Sequence, residues 1–198
     1  MTEKLGVVAL FLSMINIVGG FKISSKMLGL FKKKTDLPEY YEYYSIPALT
    51  ALGTILYGSF STGSEQVASI EGAGAAVACI AGINGLSNLK TARFGNALSI
   101  VGVSVGIFSV LGKIIAENVN SGVDSFPELA LITAVSIGAG VIGSVVSDRV
   151  SPTELPQTVA AFHSLVGFAA SLTAIGEYLS HGSDMTTGTL VLALFLVI

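Results

Sequence analysis

The chain has 198 residues, of which 52% are hydrophobic and 12% charged, with a formal charge of −3 and a mean hydropathy of +0.77. A water-soluble domain carries about 25% charged residues, so this composition excludes an ordinary soluble enzyme and points to an all-α, polytopic transmembrane helix bundle. One cysteine, Cys79, and two histidines exclude an intrachain disulfide and a cysteine-based metal cluster. No metal site is expected.

Uncharged runs close to the ~20 residues that cross a bilayer predict spans at 5–21, 44–62, 66–87, 94–112, 127–147 and 156–179. A seventh run begins at Thr186 and stops at Ile198, after roughly 13 residues, short of a crossing. The expected architecture is one transmembrane domain over 1–198, with about six complete spans plus a truncated seventh, cut from a longer polypeptide. The first span lacks an A-x-A cleavage site, and its apolar run exceeds a signal-peptide core of about 7–15 residues. It is read as a retained helix.

Residues 22–43 form a connector that is first basic and then tyrosine-rich. Lys22, Lys26, Lys32, Lys33 and Lys34 follow the first span, Lys90 and Arg93 the third, and Arg149 the fifth. Eight of the ten basic residues therefore fall on alternate loops of one side, which the charge bias of membrane proteins makes the inner side. The lysine run suits anionic lipid, not nucleic acid. In "DLPEYYEYYSIP", Tyr40, Tyr41, Tyr43 and Tyr44 suit the headgroup layer, and Pro38 and Pro47 are read as breaks on either side.

Gly138-Ala-Gly-Val-Ile-Gly143 matches the G-x-G-x-x-G turn of dinucleotide-binding folds. That fingerprint needs a strand before it, a helix after it and a carboxylate ~20 residues on. The last position falls near His163, and the run 129–147 is uncharged and helix-length. At helical spacing Thr133, Ser136, Gly140, Gly143 and Ser147 instead form a stripe of small residues, which lets a second helix approach closely. Similar stripes run through Gly95, Ser99, Gly102, Gly106 and Ser109, through Glu71, Ala75, Ala78, Gly82 and Gly85, and through Ala160, His163, Gly167, Ala170, Ala174 and Glu177. A tight bundle follows, with no cofactor at these glycines.

Ionisable residues inside spans are costly and mark candidate sites. His163 lies roughly 10 Å along its helix from Pro156, on the small face expected to be tightly packed. An imidazole there is either a proton carrier working near physiological pH or a structural group bonded to a neighbouring helix. Glu177 and Glu71 are expected near the outer surface, as mouths of a polar path or as solvated helix ends. Asn96, beside Gly95, is either a further polar step or a helix-end hydrogen bond. Cys79 reads as a small apolar filler.

"LPQTVAAFHSLVGFAASLTAIGEYL" (155–179) resembles the histidine-bearing membrane helix of proton-translocating NAD(P) transhydrogenases. "GLSNLKTARFGNALSIVGV" (85–103) is similar to the preceding helix connection, and "INIVGGFKISSKMLGLFKKKTDLPEYYEYY" (15–44) to the join between the alpha and beta parts in the fused, mitochondrial-type form. The resemblance implies the membrane part of an enzyme that couples hydride transfer between NAD(H) and NADP(H) to proton movement, with His163 in proton transfer. Asn84 stands where the family pattern has a small residue and receives no role. The resemblance further implies nucleotide-binding domains that are absent here, so no cofactor is expected on this chain and no hydride transfer by it alone. It also implies a homodimer of complete units and a mitochondrial inner membrane, with a bacterial plasma membrane as the alternative. A fragment of a secondary transporter or permease is the rival reading, and a purely structural membrane subunit a third.

Overall fold

Three helices begin on a proline. Pro47 is the third residue of its helix, and Pro127 and Pro156 are the second of theirs. First-turn N–H groups have no helical partner, so a proline there loses nothing and presets φ. Pro47 therefore starts a helix, where the sequence suggested a break. The computed structural model describes residues 2–33, 40–58, 64–121 and 126–181. It contains α1 (Thr2–Gly29), a 3-10 turn (Tyr41–Tyr44), α2 (Ser45–Gly58), α3 (Ser64–Leu86), α4 (Ala92–Ser121), α5 (Phe126–Arg149) and α6 (Leu155–His181). There is no strand among the described residues.

Five of these helices, α1 and α3 to α6, are long and apolar enough to cross a membrane. The chain is thus an all-α transmembrane bundle. The remaining predicted span, 44–62, is seen as the 14 residues of α2, and its end at 59–62 lies outside the described residues. So do Pro38, Lys34 and the run 186–198. The first span is longer than its apolar run. α1 continues to Gly29, so Lys22 and Lys26 sit on a helix and the connector's first third is helical.

The chain forms two compact units, Leu28–Phe126 and Met1–Met27 with Pro127–Ile198. In the first, α3 and α4 pack antiparallel along both small stripes. A Cβ placed on Gly85 would lie 2.8 Å from Gly95 Cα, one on Gly82 2.9 Å from Gly95 O, and one on Gly102 2.7 Å from Cys79 Sγ and 3.0 Å from Ala75 O. Farther along, Ser109 donates a hydrogen bond to Ala68 O at 2.5 Å. The stripes meet as expected, with two local shifts: Cys79 takes the place assigned to Ala78 against Gly102, and Gly72 rather than Glu71 faces Ser109. Large apolar side chains point the other way, Ile70 being 73% exposed and Ile80 68%. That distribution suits lipid, where backbone proximity holds helices together without a hydrophobic drive.

In the second unit α1 and α5 run parallel. Gly140 packs on Val18, and a Cβ on Gly143 would lie 2.5 Å from Ile15 O and 3.2 Å from Gly19 N. Ser147, 1% exposed, places its hydroxyl 2.9 Å from Gly19 O and 2.8 Å from Gly143 O. Helix α6 packs antiparallel on α1: Phe162 reaches Gly19, and Gly176 lies against Leu5. Ile23, Leu155 and Phe162 form the buried cluster, flanked by Ile15, Val150 and Leu165.

The G-x-G-x-x-G residues are therefore helical and unequal. Gly143 meets backbone, whereas nothing lies within 4 Å of a Cβ on Gly138. Gly143→Ala should lower stability by about 1–3 kcal/mol through overpacking, read as an earlier loss of helical circular dichroism on heating in detergent. Gly138→Ala should leave the melt unchanged or raise it slightly, since alanine is the better helix former.

Candidate functional site: the His163 helix

Helix α6 is set by a hydrogen-bonded start. In "SPTEL", Glu154 Oε2 accepts from the Ser151 N–H at 3.0 Å and from the Ser151 hydroxyl at 2.7 Å. This is the glutamate arm of a capping box. The Glu154 N–H bonds Ser151 O and the Thr158 N–H bonds Glu154 O, both at 3.0 Å, so the turn passes directly into the helix. The Ser151 N–H first, and then its hydroxyl, hold the Glu154 carboxyl below its ordinary value of 4.5.

His163 follows Phe162, the side chain wedged against Gly19. Its Nδ1 lies 2.9 Å from Val159 O. A carbonyl only accepts, so this contact requires the proton on Nδ1 and leaves the lone pair on Nε2. In the neutral ring Nε2 is then the acceptor nitrogen. The sequence placed this imidazole on a tightly packed face, and the structure corrects that. His163, Ala160 and Gly167 are exposed, and nothing lies within 4 Å of a Cβ on Gly167. The packed face of α6 carries Leu155, Phe162, Ala169 and Ala174 instead. Of the predicted stripe only Ala174 is buried, because the bulk of Phe162, received by Gly19, decides which side turns inward.

The other candidates are spread out. Glu177 is exposed, with its Oε1 3.3 Å from Nδ1 of His181, one turn on. It stands 14 positions from His163 on the same helix, roughly 21 Å. Glu71 and Asn96 belong to the other unit. Glu71 is half-buried and lines a groove of about 430 Å³ with Pro47, Thr50, Gly74, Leu98 and Val101. Asn96 is buried at 5% exposure and engaged in a polar contact. Since Gly72 pairs with Ser109, Glu71 sits level with that end of α4, about 13 positions or roughly 20 Å from Asn96. No two of the four are brought together within a unit. No group of three metal-ligating side chains converges among the described residues.

A polar cluster not foreseen as a site closes the ends of α1 and α5. Lys22 Nζ donates to Ser144 Oγ and to Asp148 Oδ2, both at 2.7 Å. Lys26 Nζ reaches Val150 O at 2.6 Å, Asp148 O at 3.3 Å and Ser147 O at 3.5 Å, capping the carbonyl end of α5. Lys22 and Lys26 are four apart, which would have put them on one helix face had α1 been extended past its apolar run.

These features define a polytopic helical membrane protein, packed through glycine and serine, that carries an imidazole with a free acceptor nitrogen within a span. Residues 68–198 match the family model described as "NAD(P) transhydrogenase beta subunit", and residues 1–33 match "4TM region of pyridine nucleotide transhydrogenase, mitoch". The chain belongs to the NAD(P) transhydrogenase beta subunit family. Two Rhodospirillum rubrum proteins named NAD(P) transhydrogenase subunit beta are each 42% identical to it over 106 residues, 54% of this chain and 21% of theirs. The chain thus spans about a fifth of the length of these relatives.

The Glu154 lock has a defined pH signature. Because its folded value is depressed, its contribution is complete above the unfolded value of 4.5 and is lost as pH falls through the lower folded value. Exchange protection of the Ser151 amide should fall across that acidic window in the parent chain. In Glu154→Gln it should be weaker at neutral pH and lack the acid step, read by hydrogen exchange in detergent or nanodiscs.

Proposed function

We propose that this chain is the membrane part of a proton-translocating NAD(P)+ transhydrogenase, in which hydride transfer between NAD(H) and NADP(H) is coupled to proton passage across the bilayer. The observation that carries this reading is the order of the two family matches on one chain, the 4TM region at 1–33 and the beta subunit at 68–198. That order fits the fused form with its alpha and beta parts joined, which favours the mitochondrial inner membrane over a bacterial plasma membrane. The Rhodospirillum relatives keep the bacterial alternative in view.

In this reading His163 takes a proton on Nε2 and releases it to the other side as the path opens alternately. Protonation shifts such an equilibrium only by its differential affinity for the two states. An imidazole facing lipid within a span is costly, so further helices of the complete protein cover the His163 face. Glu71, Asn96 and Glu177 are candidate polar steps at the ends of the path. NAD and NADP bind on separate domains of the complete enzyme, the loops 87–93 and 148–155 are the candidate contacts of its NADP(H) domain, and complete units pair as a homodimer. This chain alone binds neither nucleotide.

The test is His163→Ala in the complete enzyme reconstituted into liposomes. A lost general acid–base group costs about a hundredfold or more. Proton-coupled turnover should therefore collapse by that order while NADP(H) binding persists, measured with an internal pH dye and nucleotide titration. Unchanged coupled turnover removes His163 from the path.

A further inference from the structure

We propose that Gly19 is a positioning residue for His163: it sets the rotation and register of α6 and so aims the imidazole. The inference rests on the proton-transfer reading of His163 only for its functional consequence, because the mechanical claim is separate. Gly19 is the point where three helices meet. A Cβ placed there would lie 2.5 Å from Phe162 Cζ and 2.8 Å from Phe162 Cε1 on α6, and 3.2 Å from Gly143 O on α5. The bond from the Ser147 hydroxyl to Gly19 O ties the same residue's carbonyl to α5, so the α1 backbone cannot simply retreat.

An added methyl meets a ring, and the ring has little room to swing. Phe162 is 5% exposed and packs with Ile23 and Leu155, inside a shell of Ile15, Val150 and Leu165. Close-packed interiors transmit such a push as a shift of the element that carries it. His163 is the next residue, so turning α6 to relieve Phe162 turns the imidazole with it. The Nδ1 contact to Val159 O makes the ring move with the helix rather than compensate for it. Gly143 is the wrong residue for this test, since its neighbours are the α1 backbone at Ile15 and Gly19 and not Phe162, so a side chain there separates α1 from α5. The charged groups on α1, which packs against α6, are Glu3, Lys4, Lys22 and Lys26, and those on α5, which meets α1 at Gly19, are Glu128, Asp148 and Arg149. Substitution at Gly19 or Phe162 changes none of them.

The experiment uses the complete enzyme in liposomes, with Cys79 and every other native cysteine replaced by alanine as background for labelling. Gly19→Ala should lower coupled turnover about tenfold or more, because small misplacements of a reacting group carry costs of that order. It should leave nucleotide KM unchanged and shift the pH profile of turnover. Adding Phe162→Leu, which makes room for the methyl, should restore both. Independently, His163→Cys should react with N-ethylmaleimide at a different rate with and without Gly19→Ala, and the rate should return with Phe162→Leu. Parental turnover, pH profile and alkylation rate in Gly19→Ala, or no recovery on adding Phe162→Leu, would overturn the proposal. Should Gly19→Ala not accumulate in the membrane, Phe162→Trp presses on the same glycine from the other side. Parental turnover and alkylation in that variant overturn the proposal equally. If His163→Ala leaves turnover intact, the proton-path reading fails by itself, and the alkylation rates still decide whether Gly19 sets the register.

Discussion

Direct contact between helix backbones is the constraint on which the rest of this structure depends. Inside a bilayer, a leucine gains nothing by leaving lipid for another leucine. What remains is dispersion at short range and the occasional interhelical hydrogen bond. Both require that nothing larger than a hydrogen atom or a hydroxyl stand between the helices. The contacts from Gly143 to Ile15 O and from Gly95 to Gly82 O and Leu86 N meet this requirement. They bring in turn the carbonyls that Ser147 and Ser109 bond across the gap. Close approach comes first, and the polar bonds are its consequence.

The two units apply this device with opposite helix polarity, and the charges follow. Antiparallel α3 and α4 place each positive helix end beside a negative one, so their macrodipoles attract without help. Parallel α1 and α5 end together, which places two sets of unsatisfied carbonyls side by side. Lys22 and Lys26 stand at that end, one pairing with Asp148 and the other capping the last α5 carbonyls. The Lys22–Asp148 pair is partly exposed and is worth at most about 1 kcal/mol as an ion pair. Its greater effect is local: positive charge sits where the helix ends would otherwise repel, and the loop leading to α6 is held to α1 through Val150.

Most of the architecture was legible because hydropathy and small-residue spacing are both one-dimensional signals. The uncharged runs located the long helices, and the stripes on α3 and α4 named the residues that meet, to within one position at Cys79 and Gly72. The face of α6 was not legible. Its smallest stripe, through Ala160, His163 and Gly167, looked like the packed side by the same rule that succeeded on α4. What overrode it was one large residue, Phe162, filling the hole left by Gly19. Size complementarity between distant positions leaves no periodic trace in either segment alone. The lysine-bearing end of α1 was misread for a related reason. Lysines end an apolar run but do not end a helix, since their long stems let the ammonium reach outward while the backbone continues.

The turned face changes what His163 can do. A histidine bonded into a packed seam would have its ring nitrogens committed, one to its own helix and one to a neighbour. Here the Val159 carbonyl commits only Nδ1, and in doing so fixes which nitrogen is basic. A proton arriving at Nε2 makes the ring cationic, and a cation within a span is tolerated only where polar groups or water meet it. In the proposed proton-transfer reading, protonation favours whichever arrangement of surrounding helices brings such groups to that face, and deprotonation releases the preference. Coupling of a proton to a conformational change requires that asymmetry and no more. In that reading the glycine seams supply the other half, because close-packed rods shift as units and do not absorb a change locally.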